Sequence, residues 1–242
     1  MSIIRLFTPL SRFSEGEPIH LGIDELNYLK NVMRCKVGDK INIFNSIDGT
    51  WEAEIKSFNL MPMLICRTCI KEQSNKLFRK ISLGFSILKP KSTDFVIQKA
   101  TELGVCRIYP LIAERSICRS FNLKRAELIA KEASEQSFRD NVPEVCTEYT
   151  LRNFLSLNKA KIILLSLNNQ CVEMLDAAKQ TINEDVVLIV GPEGGFTQDE
   201  YDSIISSCGA IPVTLGEFVL RAETASISAL SNYMMSIRCL RA

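Results

Sequence analysis

The stretch Val186-Val-Leu-Ile-Val-Gly-Pro-Glu-Gly-Gly-Phe-Thr-Gln-Asp-Glu200 joins an unbroken apolar run to a glycine-rich turn and a helix start. Five apolar residues without polar alternation are typical of a strand that is buried on both faces of a parallel sheet. Thr197 and Glu200 have the spacing of a capping box, which opens a helix. The stretch therefore predicts a strand, a loop and a helix of an α/β fold.

The same pattern extends in both directions from this unit. Apolar runs predict further strands at 81–88, 105–112, 161–167 and 211–215. Helices are predicted between them, the first capped by Ser92 or Thr93, and the others at about 123–138, 172–178 and 223–240. Strands that alternate with helices predict a mostly parallel sheet.

The first 75 residues have a different pattern. The segments 40–44 and 51–56 alternate apolar and polar residues around an Asp-Gly turn, which predicts a half-buried hairpin. Asp24 is expected to cap a short helix that runs to about Arg34. Short strands with turns between them predict a small barrel or sandwich, and the boundary to the α/β part is expected near residues 70–80.

Composition excludes several classes of protein. The chain has 242 residues, 46% hydrophobic and 24% charged, as in globular proteins of one or two domains. The longest aliphatic run is far shorter than the ~20 apolar residues of a membrane span. Residues 1–5 lack the apolar core of a signal peptide, so a cytoplasmic protein with no membrane partner is expected.

Cysteine usage does not predict a metal site. The nine cysteines are expected to be reduced, and most of them to be small core residues. Cys66 and Cys69 form a C-x-x-C pair, but they lie on a predicted strand, where residues three apart point to opposite faces. His20 is the only histidine. We therefore expect no bound metal.

Charge is concentrated in one segment. The net charge is +1, yet residues 76–125 carry 11 basic and 3 acidic side chains. Such a block predicts a local surface for an anionic partner, although a solvated basic surface explains it equally well.

Ligands of open α/β sheets bind beyond the carboxyl ends of the strands. Three such ends carry unusual residues, at 166–169, 191–196 and 215–225. The glycines of Gly191-Pro-Glu-Gly-Gly195 let a ligand approach the backbone and its N–H donors, or they simply allow a tight turn. Neither a dinucleotide fingerprint nor a phosphate loop is present.

Arg221 and Glu223 stand at the start of the last predicted helix. A carboxylate there is favoured by the helix dipole, so Glu223 has a purely structural explanation. A cation there is disfavoured, so Arg221 is expected to meet Glu193, Glu223, or an incoming phosphate or base.

These two loops carry a family resemblance. Ile189 to Thr197 together with Leu215-Gly-Glu-Phe-Val-Leu-Arg-Ala-Glu-Thr-Ala225 resembles the C-terminal signature of the small-subunit ribosomal RNA uridine-N3 methyltransferases, in the knotted SPOUT superfamily. The stretches Phe95–Val105 and Glu132–Arg139 with Pro143 resemble two helices of that family. Phe218 stands where the family usually has a basic residue, and Tyr28 where it often has histidine.

The resemblance implies a fold, an activity and partners. It implies a PUA-like RNA-binding β-barrel over residues 1–72 and a trefoil-knotted α/β methyltransferase domain with a parallel sheet over 73–242. It implies an enzyme that uses S-adenosyl-L-methionine (SAM) to methylate N3 of a uridine in 16S rRNA of the small ribosomal subunit. It also implies a homodimer.

The resemblance also implies roles for individual residues of this chain. The expected catalytic residues are Arg221, Glu223 and Glu193, where Arg221 stabilises the uracil anion and a carboxylate takes the N3 proton. The expected SAM-binding residues are Leu167, Val190, Gly191, Glu193, Gly194, Gly195, Leu215, Gly216, Val219 and Leu220. The expected RNA contacts are Arg5, Arg34, Lys89, Lys99, Arg115 and Arg139.

Two alternatives remain open. One is a related knotted methyltransferase that modifies another RNA site. The other is a non-catalytic RNA-binding factor for ribosome assembly, which the intact loops at 191–195 and 220–225 disfavour because a pure binder needs no cofactor pocket.

Overall fold

A computed structural model describes residues 3–9, 12–59, 61–72, 81–167, 171–207 and 209–241. The chain forms two compact units. The first contains the described residues up to 72 together with Ser134–Val142, and the second contains the remaining described residues. The expected domain boundary at 72/73 adjoins residues outside the described ranges and stays a prediction.

The first unit is built on a sheet with the strand order β1-β3-β4-β5-β2 among the described residues. Its strands are β1 (Arg5–Phe7), β2 (Pro18–His20), β3 (Lys40–Asn45), β4 (Gly49–Ser57) and β5 (Met63–Lys71). The predicted hairpin is confirmed, since β3 and β4 pair antiparallel from Lys40 and Glu54 to Asn45 and Gly49. Leu6, Ile43, Ile55 and Leu64 are fully buried in its core.

The helix of this unit differs from the prediction. Helix α1 (Ile23–Asn27) begins after Gly22, whose N–H donates to the Glu25 carboxylate at 2.7 Å. The N-cap is therefore Gly22, and Asp24 lies in the first turn, where a carboxylate is also favourable. A π-helical turn follows at Tyr28–Val32, and the chain leaves it through Arg34 at a φ of 56°.

The second unit contains a parallel sheet with the order β12-β10-β11-β6-β7-β8, and β9 also pairs with β7, over the described residues. The strands are β6 (Ile81–Ser86), β7 (Arg107–Ile112), β8 (Glu144–Val145), β9 (Tyr149–Thr150), β10 (Lys161–Leu165), β11 (Val186–Val190) and β12 (Ile211–Val213). Every recorded pair is parallel, which confirms the α/β prediction. The trefoil knot stays a prediction.

Helices cover both faces of this sheet. They are α2 (Pro90–Glu102), α3 (Leu123–Gln136), α4 (Leu151–Leu157), α5 (Met174–Thr181), α6 (Gln198–Ser206) and α7 (Ala222–Arg241). Phe154 of α4 and Ile204 of α6 pack with Val187 and Ile189 on one face. Helix α7 packs on α2, α5, β6 and β11. Burial on both faces explains the unbroken apolar run of β11.

The start of one helix of this unit differs from the prediction, and the start of another is confirmed. Helix α2 begins at Pro90, because proline fits the first helical position and Lys89 takes the N-cap place. The Thr93 hydroxyl instead exchanges hydrogen bonds with the backbone of Leu88. The capping box of Thr197 and Glu200 is present as predicted and opens α6.

None of the helices in the described part of the chain combines the length and hydropathy that crossing a bilayer requires. Cys66 is fully buried on β5 and Cys69 is partly exposed. The expectation that they point to opposite faces is wrong, because a register shift pairs Cys66 with Ala53 and Cys69 with Trp51, which lie two residues apart on the same face of β4. Searched over the described residues, the side chains form no group of three or more candidate metal ligands. Cys208 and the end of the 166–169 loop lie outside the described residues.

Candidate active site

A pocket of about 890 Å³ opens beyond the carboxyl ends of β6, β10, β11 and β12. These four strands are neighbours in the sheet, so their C-terminal loops meet at one edge. The pocket is lined by three segments, at 165–167, 190–196 and 218–223, with further residues contributed by α2 and β12. Its volume is in the range of small-molecule sites, which is ~300–1,000 Å³.

The glycine loop, defined as Gly191–Phe196, is a tight turn that also faces the pocket. The Gly195 N–H donates to the Pro192 carbonyl at 2.8 Å, and Gly195 has a φ of 69°. A side chain is disfavoured at that backbone angle. The Gly195 N–H is therefore engaged in the turn, as the tight-turn interpretation of these glycines expects.

Gly191 allows a close approach by an aromatic ring. A Cβ atom at this position would lie 2.9 Å from Cε2 of Phe196. Phe196 packs against the cluster that contains Ile189 and Ile204. The same residues thus shape the tight turn and line the pocket, and their role in binding a ligand stays a prediction.

The loop between β12 and α7 supplies a second wall. Leu215, Val219 and Leu220 line the pocket, while Phe218 and Val219 are 82% and 79% exposed. Arg221 directly precedes α7, and its carbonyl accepts the first helical hydrogen bond, from Ala225, at 2.8 Å. Across the described residues Arg221 forms no ion pair, so the expected pairing with Glu193 or Glu223 is absent.

The acidic residues of the pocket differ in how they are held. Glu223 lies in the first turn of α7, and its Oε1 accepts a hydrogen bond from Ser92 of α2 at 3.4 Å. Glu193 is exposed in the turn of the glycine loop. Glu193, Arg221 and Glu223 all line the same pocket, so the structure brings the three expected catalytic residues together.

Comparisons with known proteins agree with this geometry. A family model described as an RNA methyltransferase domain matches residues 74–234, and an RNA methyltransferase PUA domain matches residues 22–59. The chain belongs to the RNA methyltransferase domain family. This confirms the resemblance and the PUA-like part of the fold prediction.

Relatives in this family are similar over most of their length. The chain is 34% identical to the ribosomal RNA small subunit methyltransferase E of Rickettsia conorii, over 91% of each chain. It is 29% identical to the enzyme of that name from Bacillus subtilis, over 98% of each chain.

Two solved structures are similar as well. A methyltransferase from Legionella pneumophila with bound SAM has a TM-score of 0.87 at 28% identity, covering 98% of both chains. The ribosomal RNA small subunit methyltransferase E of Neisseria gonorrhoeae, bound to SAM, has a TM-score of 0.84 at 28% identity, covering 97% of this chain and 98% of that one.

Nearly all residues expected to bind the family's cofactor line the pocket. The exception is Gly216, which is exposed outside the lining. Sequence reasoning missed several lining residues, which are Ser92, Leu165, Pro192, Phe196, Tyr201 and Val213. Ser92 carries a signal in the sequence, since it lies in the first turn of α2 beyond β6, but a serine at this place also fits a helix cap.

The expected RNA contacts differ in exposure and in their partners. Lys89 and Arg34 are exposed, and Lys89 also lines the pocket. Lys99 is partly buried and paired with Glu102 at 2.7 Å. Arg115 is exposed, and its Nη1 donates to the Gly194 carbonyl at 3.0 Å. Among the described residues, Lys89 of the second unit and Arg34 of the first unit are thus exposed and form no ion pair, and their contact with RNA stays a prediction.

Arg5 and Arg139 are engaged inside the first unit. Arg5 is 4% exposed, and its guanidinium donates to the Ser134 carbonyl at 3.3 Å and to the Arg139 carbonyl at 2.8 Å. The Arg139 side chain donates to the Asn141 amide oxygen at 2.8 Å. A guanidinium buried as deeply as that of Arg5 does not fit the expected phosphate contact, and sequence spacing could not reveal partners more than 120 residues away.

Proposed function

We propose that this protein transfers a methyl group from SAM to N3 of a uridine in 16S rRNA of the small ribosomal subunit. The observation that carries the proposal is the pocket at the strand ends, which collects Arg221, Glu193 and Glu223 in a chain of the RNA methyltransferase family. The names of the relatives and the SAM bound in two similar structures support the substrate and the donor.

The pocket residues fit SAM by their chemistry. Leu165, Leu215 and Leu220 provide apolar walls for an adenine ring. Backbone groups of the glycine loop are close by, as is usual in small-molecule sites with apolar walls and few polar groups. When bound, SAM supplies an activated methyl group on a sulfonium sulfur.

Arg221 and Glu223 have separate roles in activating the uracil ring. N3 of uracil carries a proton at neutral pH, and this proton must leave before or during the transfer. Arg221 is exposed and has no ion-pair partner among the described residues, so its guanidinium is suited to bind the uracil oxygens where negative charge develops. Glu223 accepts the proton, and its hydrogen bond from Ser92 orients the carboxylate.

Phosphate contacts come from exposed cations of the basic segment. Arg107 is paired with Glu144 and Arg125 with Asp94, so both guanidinium groups are less available to bind RNA phosphates. The proposed contacts are the exposed cations Lys89, Lys91, Arg119 and Lys124. Such contacts position the RNA, and the target base must leave its stack to expose N3. The N-terminal part, residues 1–72, provides further RNA contacts, including Arg34.

A homodimer is part of the proposal. Leu167, Phe218 and Val219 are 62%, 82% and 79% exposed at the pocket. Clustered exposed apolar residues are typical of binding surfaces. Light scattering of the purified protein is expected to give twice the chain mass of 27.2 kDa, and a monomer would contradict it. We place the protein in the cytoplasm, where its ribosomal substrate is found.

Labelling of ribosomal subunits tests the proposal. Small subunits from cells that lack this protein are incubated with the enzyme and methyl-labelled SAM, and the nucleosides are identified by mass spectrometry. Label in 3-methyluridine is expected. Label in another nucleoside would favour a related methyltransferase, and absence of SAM binding would favour an assembly factor.

A further inference from the structure

One peptide unit in the glycine loop is held at both ends. The carbonyl of Gly194 accepts a hydrogen bond from Nη1 of Arg115 at 3.0 Å. The N–H of Gly195, the other half of that peptide unit, donates to the Pro192 carbonyl at 2.8 Å. The two hydrogen bonds hold opposite edges of this planar peptide unit and so fix its orientation, although both glycines tolerate many backbone angles.

The stem of Arg115 also packs on the loop. A Cβ atom at Gly194 would lie 3.4 Å from Cβ and 3.6 Å from Cδ of Arg115. Arg115 is therefore in contact with the loop along its side chain and at its guanidinium. These distances are ordinary van der Waals contacts, so the Arg115 stem lies directly against the backbone of Gly194.

A second tie holds the segment that carries Arg115. One carboxylate oxygen of Glu200 accepts from the Glu114 N–H at 2.8 Å, and the other accepts from the Thr197 N–H at 3.0 Å. Glu200 thus links the loop after β7 to the start of α6, directly behind the glycine loop. Ser116 stabilises the same loop, since its hydroxyl accepts from the Ala113 N–H at 2.9 Å.

We infer that Arg115 is a positioning residue that holds the glycine loop in its SAM-binding shape, with Glu200 as its support. This inference rests on the proposed function, and it replaces the RNA contact expected for Arg115. A loop that is fixed before binding loses less conformational entropy when SAM binds, so the affinity of the protein for SAM is higher. The effect on affinity is moderate, because water competes for an exposed guanidinium.

Calorimetric titration of SAM without RNA tests the inference. Arg115→Ala is expected to weaken SAM binding by about three- to tenfold. Glu200→Gln loses one of its two acceptor oxygens and is expected to shift affinity in the same direction by less. Arg152→Ala, which removes an exposed cation on α4, is the control for charge and is expected to bind SAM as the wild type does.

Steady-state kinetics separate positioning from RNA contact. Arg115→Ala is expected to raise the KM for SAM and to leave the KM for ribosomal subunits unchanged, with kcat at saturating SAM changed by less than about twofold. Unchanged SAM affinity in both Arg115→Ala and Glu200→Gln would overturn the inference alone, as would a raised KM for subunits alone. Failure of the wild-type protein to bind SAM would overturn the proposed function and the inference together.

Discussion

The guanidinium carbon of Arg5 lies 4.2 Å from the centre of the Phe44 ring, and the Phe138 ring approaches it to 5.2 Å. Arg5 belongs to β1, whereas Phe138 belongs to the segment that follows α3, so the cation joins distant parts of the first unit. Burial lowers the pKa of the Arg5 guanidinium from its usual value, and Asp140 and Glu135 oppose that shift. The buried charge is thus compensated by acids and aromatic faces.

Replacing Arg5 is expected to destabilise the first unit. Arg5→Met leaves the Ser134 and Arg139 carbonyls without this donor and the carboxylate of Asp140 without this cation, which lies 3.9 Å away. Removing one partner of a buried charge network costs about 3 kcal/mol. Urea unfolding measures the loss. The control is Arg12→Met, which removes a 72% exposed cation paired with Asp48 and is expected to cost less than about 1 kcal/mol. Equal losses for the two variants would contradict a structural role for Arg5.

Gly191→Ala is expected to damage the SAM pocket. Its new Cβ would meet the Phe196 ring at 2.9 Å, and overpacking of this kind costs about 1–3 kcal/mol. We expect SAM affinity to fall by about tenfold or more. The double variant with Phe196→Leu is expected to recover part of the loss, because the smaller side chain makes room. Calorimetry measures both, and wild-type affinity for Gly191→Ala would show that the loop does not form the site.

Glu223→Gln tests the proton acceptor. The amide cannot take the N3 proton, so kcat is expected to fall by about 10²–10⁴-fold with little change in SAM affinity. Ser92→Ala removes the hydrogen bond to Glu223 and is expected to have a much smaller effect on kcat. Single-turnover methylation assays distinguish the two. If Glu193→Gln is the slower variant, the proton goes to the exposed carboxylate of the turn instead.

Cysteine alkylation tests how burial and the neighbouring Glu144 affect the reactivity of the Cys146 thiol. Burial, with a smaller contribution from Glu144, raises the pKa of the Cys146 thiol to about 11. The reactive form is the thiolate, so at pH 8 only about one Cys146 in a thousand is reactive. Iodoacetamide is expected to modify the exposed Cys239 first and Cys146 only as the pH approaches 11. Mass spectrometry checks the order, and rapid labelling of Cys146 at pH 8 would contradict it.

The parallel sheet and the pocket could be predicted because their signals are local. Apolar runs such as Val186–Val190 follow from burial on both faces, and loops after neighbouring strands converge by topology. Helix α4 was missed because only Leu151 and Phe154 of its seven residues are buried, too few for a clear period. The hydrogen bonds from Arg5 to Ser134 and from Arg115 to Gly194 join residues 129 and 79 positions apart, and sequence periodicity does not predict such pairs.

Hydrogen exchange on addition of SAM tests the central claim, that the pocket at the strand ends is the methyl-donor site. Backbone amides in the segments 190–196 and 214–221 are expected to become protected at saturating SAM, while those of 40–57 in the N-terminal unit stay unchanged. SAM binding that leaves both pocket segments unchanged and protects another region would contradict the account.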